Sequence, residues 1–228
     1  MLIALIVVLA LSCLFCGVRF IKAMEADDQE KATVLKGLTT ICCILIALIA
    51  YFMTSLPKFA LLVILGLIFG FLGDELLALR FVYTKKFNAF FLSGALAFLI
   101  GHIFYLIALY GLAPRAWMLS VPLTLAALAA EFINSKKHSL DMGKLFLPLG
   151  FYASFVCFMG CSAVGVCVFH FNFGTLLFAV AGLCFIASDS ILSVQCFSDR
   201  PTNTKNRVLH IFYWAAQLLI ALSPIFIK

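Results

Sequence analysis

Eight long apolar runs cover most of the sequence and leave little choice of fold. A helix needs about 20 apolar residues to cross the hydrocarbon core of a bilayer, where no backbone group can be left unpaired. Only 11% of the residues are charged, against about 25% in a soluble domain. The sequence therefore predicts an all-α integral membrane protein with eight transmembrane helices in one bundle, a single domain over residues 1–228. The predicted spans are 2–20, 35–53, 59–79, 87–110, 115–132, 145–169, 173–197 and 208–227.

The 16 lysines and arginines are distributed unevenly among the connections between these runs. Most of them follow the first, third, fifth and seventh runs. Because basic connections stay in the cytoplasm, we predict that both termini lie on the non-cytoplasmic side of the cell membrane. The same pattern accounts for the net charge of +6, so we expect no nucleic-acid partner. Since no basic residue precedes the first run, we interpret it as a retained helix rather than a signal peptide.

The stretch 66–80 places an aspartate, Asp74, inside the third apolar run. A charged side chain in hydrocarbon costs a few kcal/mol or more, so such residues are usually functional. Gly66, Gly70 and Asp74 follow one another at intervals of four, which puts them on one face of a helix. Two glycines there allow a neighbouring helix to approach closely. We therefore predict that Asp74 points into the bundle, while Arg80 anchors the end of the helix at the interface.

A second aspartate, Asp189, lies in the seventh run at a depth similar to that of Asp74. The eighth run places Tyr213 and Gln217 on one helical face. A glutamine in hydrocarbon needs hydrogen-bond partners, and the two acids are suitable ones. We expect these four residues to meet in the cytoplasmic third of the bundle.

Further polar residues in the apolar runs are candidates for the wall of that site: Asn88, His102, Tyr105, Tyr152 and Ser188. His102 lies deep in the fourth run, so it is either at the floor of a pocket or a hydrogen-bonded structural residue. Glu131 is close to the end of the fifth run, and we interpret it as part of a solvated helix end. All nine cysteines lie in apolar runs and are expected to pack as small apolar residues. We predict no metal site, because no cysteine and histidine spacing matches one.

Two carboxyl groups in a membrane cavity are compatible with two kinds of chemistry. Burial favours the protonated form of a carboxyl group, and a second carboxyl group nearby strengthens that preference for one of them. One acid can then donate a proton while the other stays ionised, as in acid/base hydrolysis through a cationic intermediate. The same pair suits a proton relay in a transporter, and spacing alone favours the transporter. A non-catalytic scaffold would need no buried aspartates.

Several short motifs from the third run to the C-terminus resemble one membrane-protein family. They are GDELL at 73–77, then Gly94, Phe98, His102, Tyr105 and Tyr152, then Gly182, Phe185, Ser188, Asp189, Leu192 and Phe197, and finally Tyr213, Ala216, Gln217, Leu219 and Ile220. In order and spacing these residues are similar to the YhhN-like lysoplasmalogenase family. The first two runs share little with that family beyond hydrophobicity.

The resemblance implies a hydrolase that cleaves the vinyl ether bond of lysoplasmalogens. The products would be a fatty aldehyde and a glycerophosphocholine or glycerophosphoethanolamine, and neither a metal nor a cofactor is implied. Asp74 and Asp189 would be the catalytic pair, in either order of acid and base. For the lysophospholipid substrate we predict contacts with His102, Tyr105, Ser188, Tyr213, Gln217, Asn88 and Tyr152. For Arg80, Lys85 and Lys86 a positive-inside role is favoured over a contact with the lipid phosphate.

Overall fold

The computed structural model describes residues 2–199 and 201–227, and it contains eight long α-helices and no strand in those residues. All eight helices are long and apolar enough to cross a membrane. The predicted all-α fold with eight spans is therefore confirmed. The helices are α1 (Leu2–Glu25), α2 (Gln29–Met53), α3 (Pro57–Val82), α4 (Phe87–Leu112), α5 (Trp117–Lys137), α6 (Phe146–Phe169), α7 (Phe173–Phe197) and α8 (Asn203–Phe226).

Two helices begin several residues before the apolar runs that predicted them. The run at 35–53 belongs to α2, which starts at Gln29, where the Asp28 side chain accepts a hydrogen bond from the Lys31 amide. The run at 208–227 belongs to α8, which starts at Asn203 after the cap residue Thr202. A side-chain cap satisfies the free amides of a first turn. Polar residues can therefore extend both helices beyond the apolar segment on the side of the basic connections.

Six helices form a closed ring in which each packs against the next. The order around the ring is α2, α3, α4, α6, α7 and α8, and α8 returns to α2. The first helix packs outside this ring against α2 and α8, and α5 packs outside it against α6 and, more lightly, α7. A site inside the ring therefore joins α2, α3 and α4 to α6, α7 and α8, two groups of helices that are distant in sequence.

The two glycines that precede Asp74 on α3 do allow close helix contacts. A Cβ atom added at Gly101 of α4 would lie 2.9 Å from the carbonyl oxygen of Gly66. One added at Gly70 would lie 3.1 Å from the amide nitrogen of Gln217 on α8. The predicted close approach is therefore found, and two different helices, α4 and α8, make it.

The half of the ring away from the basic connections is filled with side chains. Large apolar residues there come from the start of α3 and α7 and from the end of α4 and α8. Each is 0% exposed: Val63, Leu67, Leu109, Phe178 and Ile220. Protein interiors are usually close-packed, and the cavity described below lies in the other half of the bundle.

Candidate functional site

A cavity of about 630 Å³ occupies the half of the bundle near the basic connections. All eight helices contribute to its wall, which is mainly apolar. It reaches the ends of α2 and α8, where Gln29 and Asn203 line it. An apolar cavity with a few convergent polar groups is the usual form of a small-molecule site. Both predicted aspartates, Asp74 and Asp189, are in its wall.

Asp74 is completely buried and is surrounded by hydrogen-bond donors. The Lys36 ammonium lies 2.9 Å from its Oδ1 atom. The hydroxyl groups of Thr40 and Tyr213 donate to its Oδ2 atom at 2.6 and 2.7 Å. All three neighbours give a hydrogen to this carboxyl group, so its oxygens act as acceptors. A buried carboxylate with a cation and two donors has the partners that such a charge requires.

Gln217 supports this arrangement from behind Tyr213. Its side-chain amide is buried and donates to the Tyr213 hydroxyl at 2.6 Å. The Tyr213 hydroxyl therefore accepts one hydrogen bond from Gln217 and donates one to Asp74. The predicted meeting of Asp74, Tyr213 and Gln217 is found, although Gln217 is not in the cavity wall and acts through the tyrosine.

Asp189 has a different environment on the α7 side of the cavity. It is half-buried, and its Oδ2 atom accepts a hydrogen bond of 2.6 Å from the Tyr152 hydroxyl. The charged groups that act on it electrostatically are Glu131 and, more weakly, Lys36. Its Oδ1 atom has no hydrogen bond to any residue that the structure describes. Asp189 therefore lies in the cavity wall near another carboxyl group, and one of its oxygens is free of hydrogen bonds to described residues.

Glu131 faces the cavity, in contrast to the solvated helix end that the sequence indicated. Its carboxylate accepts a hydrogen bond from Ser190, the residue after Asp189, and the side chain is half-buried. The contact is possible because α5 packs against the outside of the ring beside α6 and α7. Position in the sequence gave no sign of this partner, since 59 residues separate the two side chains.

The other predicted contact residues divide into those in the cavity wall and those outside it. Tyr152, Tyr213 and Ser188 are in the wall, and Ser188 also ties α7 to α8 by donating to the Leu209 carbonyl at 3.0 Å. The described wall does not include Asn88, which is exposed at the start of α4.

His102 and Tyr105 also lie outside the wall of the cavity. Both are buried, and the His102 Nδ1–H group donates to the Phe98 carbonyl at 2.6 Å. The His102 ring also packs edge-on against Phe185 at 4.8 Å between centroids. The sequence left two interpretations of His102 open, and the structure agrees with the hydrogen-bonded structural residue rather than the floor of a pocket.

Two residues of the Asp74 environment were not identified from the sequence as part of the site. Lys36 was considered only as one of the basic residues that follow the first run, and Thr40 was not distinguished from its apolar neighbours. A spacing of four residues places both on one face of α2. A lysine one turn before a threonine on that face was the only available signal, and it does not by itself indicate a buried acid on another helix.

A metal ion has no apparent place in the described part of the chain, where no group of three histidine, cysteine, aspartate or glutamate side chains converges. The nine cysteines are free, and five of them are buried. Around the two aspartates, the cavity offers carboxyl, phenol, hydroxyl and ammonium groups. Such groups can donate, accept and relay protons.

Comparison with known proteins places these features in one family. No curated protein and no solved structure matches the chain. A sequence model of the YhhN family matches residues 31–224. The match begins in α2, so it covers Lys36 and Thr40 together with Asp74, Asp189 and the side chains that face them. Because it spans most of the chain and the whole set of polar residues around the two aspartates, the chain belongs to the YhhN family.

Proposed function

We propose that this protein hydrolyses the vinyl ether bond of lysoplasmalogens, giving a fatty aldehyde and a glycerophosphocholine or glycerophosphoethanolamine. The observation that carries the proposal is a pair of aspartates with unlike surroundings in one apolar cavity of a YhhN-family membrane protein. Asp74 is held by three donors, whereas Asp189 receives one hydrogen bond and lies beside Glu131. Such a difference divides two carboxyl groups into an acid and a base.

Asp189 is the proton donor in this proposal. A vinyl ether hydrolyses when an acid protonates the carbon that is β to the ether oxygen. A carboxyl group that lies in an apolar cavity next to a second carboxyl group tends to keep a proton. With Tyr152 on its Oδ2 atom, Asp189 can carry that proton on Oδ1 and present it to the alkene.

Asp74 is the carboxylate that completes the reaction. Protonation of the alkene leaves an oxocarbenium ion, which a negative group at close range stabilises. Asp74 then accepts a proton from a water molecule as the water oxygen bonds to the cationic carbon. As the bond between the hemiacetal carbon and the glycerol oxygen breaks, this oxygen takes the proton held by Asp74 and leaves as an alcohol. The hemiacetal hydroxyl passes its proton to Asp189 and becomes the carbonyl group of the aldehyde. One water is consumed, and both acids return to their starting states.

The cavity is well placed for a single-chain lipid. Its phenylalanine and leucine side chains offer an apolar path for the alkenyl chain, and it reaches the membrane side that carries most of the basic residues. Basic connections remain cytoplasmic, so in this proposal the substrate enters from the cytoplasmic leaflet of the cell membrane. Both chain termini would then lie on the opposite side.

Substrate selectivity tests the proposal directly. Purified protein in detergent would be given a vinyl-ether lysophospholipid and, as a matched control, the saturated alkyl-ether lipid of the same chain and headgroup. We expect aldehyde from the first and no product from the second, because only an alkene can be protonated to an oxocarbenium ion. The proposal would be contradicted if both lipids released an alcohol. It would also be contradicted if vinyl-ether lipids with either headgroup, phosphocholine or phosphoethanolamine, gave no product.

Isotopic water locates the bond that breaks. If water adds to the alkenyl carbon, hydrolysis in H₂¹⁸O leaves the glycerol hydroxyl group unlabelled. Label in the glycerophospho product would mean attack on the glycerol carbon and would rule out the proposed steps.

A proton-coupled transporter is the alternative, and the filled half of the bundle, with Leu67 and Phe178 fully buried, argues against a path across it. Lipid uptake into vesicles that depends on a proton gradient, without aldehyde release, would favour the transporter.

A further inference from the structure

Arg80 lies in the cavity wall near the end of α3 and is only 5% exposed. The sequence indicated an interfacial anchor at this position, which would extend its side chain toward water or headgroups. A basic residue in the last turn of a helix is favoured by the helix dipole. That interaction does not require burial, so the inward direction of Arg80 needs another explanation.

Among the residues that the structure describes, the guanidinium group of Arg80 has no anionic partner. Its central carbon lies 4.7 and 4.8 Å from the ring centroids of Phe81 and Phe91, and Nη2 donates to the Cys196 sulfur at 3.6 Å. The Nε and Nη1 atoms are buried without any hydrogen-bond acceptor in the described structure. No carboxylate oxygen of a described residue lies within 4.0 Å of the guanidinium group. Because buried charges are normally paired, this cation lacks the anion that would neutralise it.

The second cation of the cavity wall is already neutralised. Lys36 is paired with Asp74, as described above. Arg80 is therefore the cationic side chain of the described wall that is available to a ligand. A guanidinium group matches the oxygens of a phosphate in geometry as well as in charge.

We propose that Arg80 binds the phosphate group of the lysophospholipid and so fixes the distance of the ether bond from the aspartates. Arg80 follows Asp74 by six residues, which corresponds to about 9 Å along the helix axis. Seven bonds separate the protonated carbon of a lysoplasmalogen from its phosphorus. At about 1.2 Å per bond in an extended chain, this gives about 8 Å. A phosphate at Arg80 therefore brings the alkene to the level of Asp74.

This inference relies on the proposed function for the identity of the lipid, so its test measures binding rather than hydrolysis. The probe is a saturated 1-O-alkyl lysophosphatidylcholine, which has no vinyl group, labelled in its alkyl chain. The reference is the 1-O-alkylglycerol of the same chain, which lacks the phosphate and headgroup. Both are titrated into the purified full-length protein in detergent. We expect the wild type to bind the phospholipid about tenfold to 100-fold more tightly.

Three variants assign that preference to the residue. Arg80→Gln should bind both lipids with similar affinity, and Arg80→Lys should keep part of the preference because it keeps the charge but not the fork of donors. Lys85→Gln is the matched control, since Lys85 is an exposed basic residue in the following connection and lies outside the cavity wall. It should bind both lipids as the wild type does.

The outcomes separate this inference from the proposed function. Equal affinity of the wild type for the two lipids overturns the inference even if Arg80→Gln does not fold. So does a preference that Arg80→Gln retains, which would leave Arg80 a structural residue stacked on phenylalanines. Inorganic phosphate is titrated in parallel, and stabilisation of the wild type by free phosphate, with no lipid preference, would mean that the ligand is not a lipid. Aldehyde release together with any of these results leaves the proposed function intact.

Discussion

Two sides of the cavity wall each hold an aspartate carboxyl group, and the two groups have different environments. On the α3 side, Asp74 has an ammonium group, two hydroxyl donors and no exposure to solvent. On the α7 side, Asp189 has one phenol donor and a second carboxyl group, that of Glu131, nearby. The difference shows how neighbouring helices assign chemical roles to identical residues, because donors stabilise a carboxylate and a nearby acid stabilises the protonated form.

The local sequences around the two aspartates do not contain this difference. They open similar patterns, DELLAL at 74–79 and DSILSV at 189–194. The two aspartates differ in the helices that supply their neighbours. These are α2 and α8 for Asp74, and α5 and α6 for Asp189. Changes to the neighbours of each aspartate should therefore have distinct effects.

Among changes to the neighbours of the aspartates, loss of the Lys36 ammonium group beside Asp74 should have the largest effect. Lys36→Met leaves Asp74 buried without its cation, which costs up to about 3–5 kcal/mol of stability. Asp74 would then lack the cation beside its carboxylate, and we expect aldehyde release to fall by about 10²-fold, within the range for loss of a general base. Thermal unfolding in detergent and initial rates measure the two effects.

A double variant separates the charge from the chemistry. Lys36→Met/Asp74→Asn has no unpaired charge, so it should recover stability relative to Lys36→Met while remaining inactive. Arg207→Gln is the control, since it breaks the exposed ion pair with Glu25 and should change little. If the double variant were as unstable as Lys36→Met, the ion pair would not explain the stability of this side.

Replacing each tyrosine by phenylalanine compares the two sides directly. Tyr152→Phe removes the hydrogen bond described for Asp189, and we expect activity to fall by about tenfold to 100-fold. Tyr213→Phe leaves Asp74 with Lys36 and Thr40, so activity should fall less. The order should reverse for thermal stability, because Tyr213→Phe also strips the acceptor from the buried Gln217 amide. The same order in both measurements would contradict the division of the site.

A methyl group on α3 should produce the smallest effect. A Cβ atom at Gly70 would lie 3.1 Å from the Gln217 amide, which must then move by a few tenths of an ångström. We expect Gly70→Ala to lower activity by a few-fold, because Tyr213 loses some of its support. Gly111→Ala meets nothing within 4 Å and serves as the control for adding a methyl group to a helix. Unchanged activity in Gly70→Ala would mean that Gln217 does not position Tyr213.

The sequence predicted the fold well because apolar length and the spacing of basic residues act locally. Each of the eight runs contains enough information to predict its own helix, and the glycine spacing before Asp74 correctly predicted a close contact. The helix starts at Gln29 and Asn203 were missed, since polar first turns do not extend an apolar pattern.

The site was predicted only in part because its contacts join distant segments. Asp74, Tyr213 and Gln217 could be placed together from depth and helix face alone. Glu131 and Lys36 could not, because their partners depend on which helices are neighbours in the ring. Arg80 shows the same limit, since a basic residue at a helix end has no sequence feature that distinguishes an inward side chain from an anchor.

The most direct test of the two-carboxyl site measures aldehyde release from a vinyl-ether lysophospholipid by Asp74→Asn and Asp189→Asn. Glu75→Gln is the matched control, because Glu75 follows Asp74 on the same helix and lies outside the described cavity wall. We predict that each aspartate variant, folded and monodisperse in detergent, loses about 10²- to 10⁴-fold in rate, whereas Glu75→Gln retains activity close to that of the wild type. An aspartate variant that is folded and as active as Glu75→Gln would contradict the proposed role of that carboxyl group.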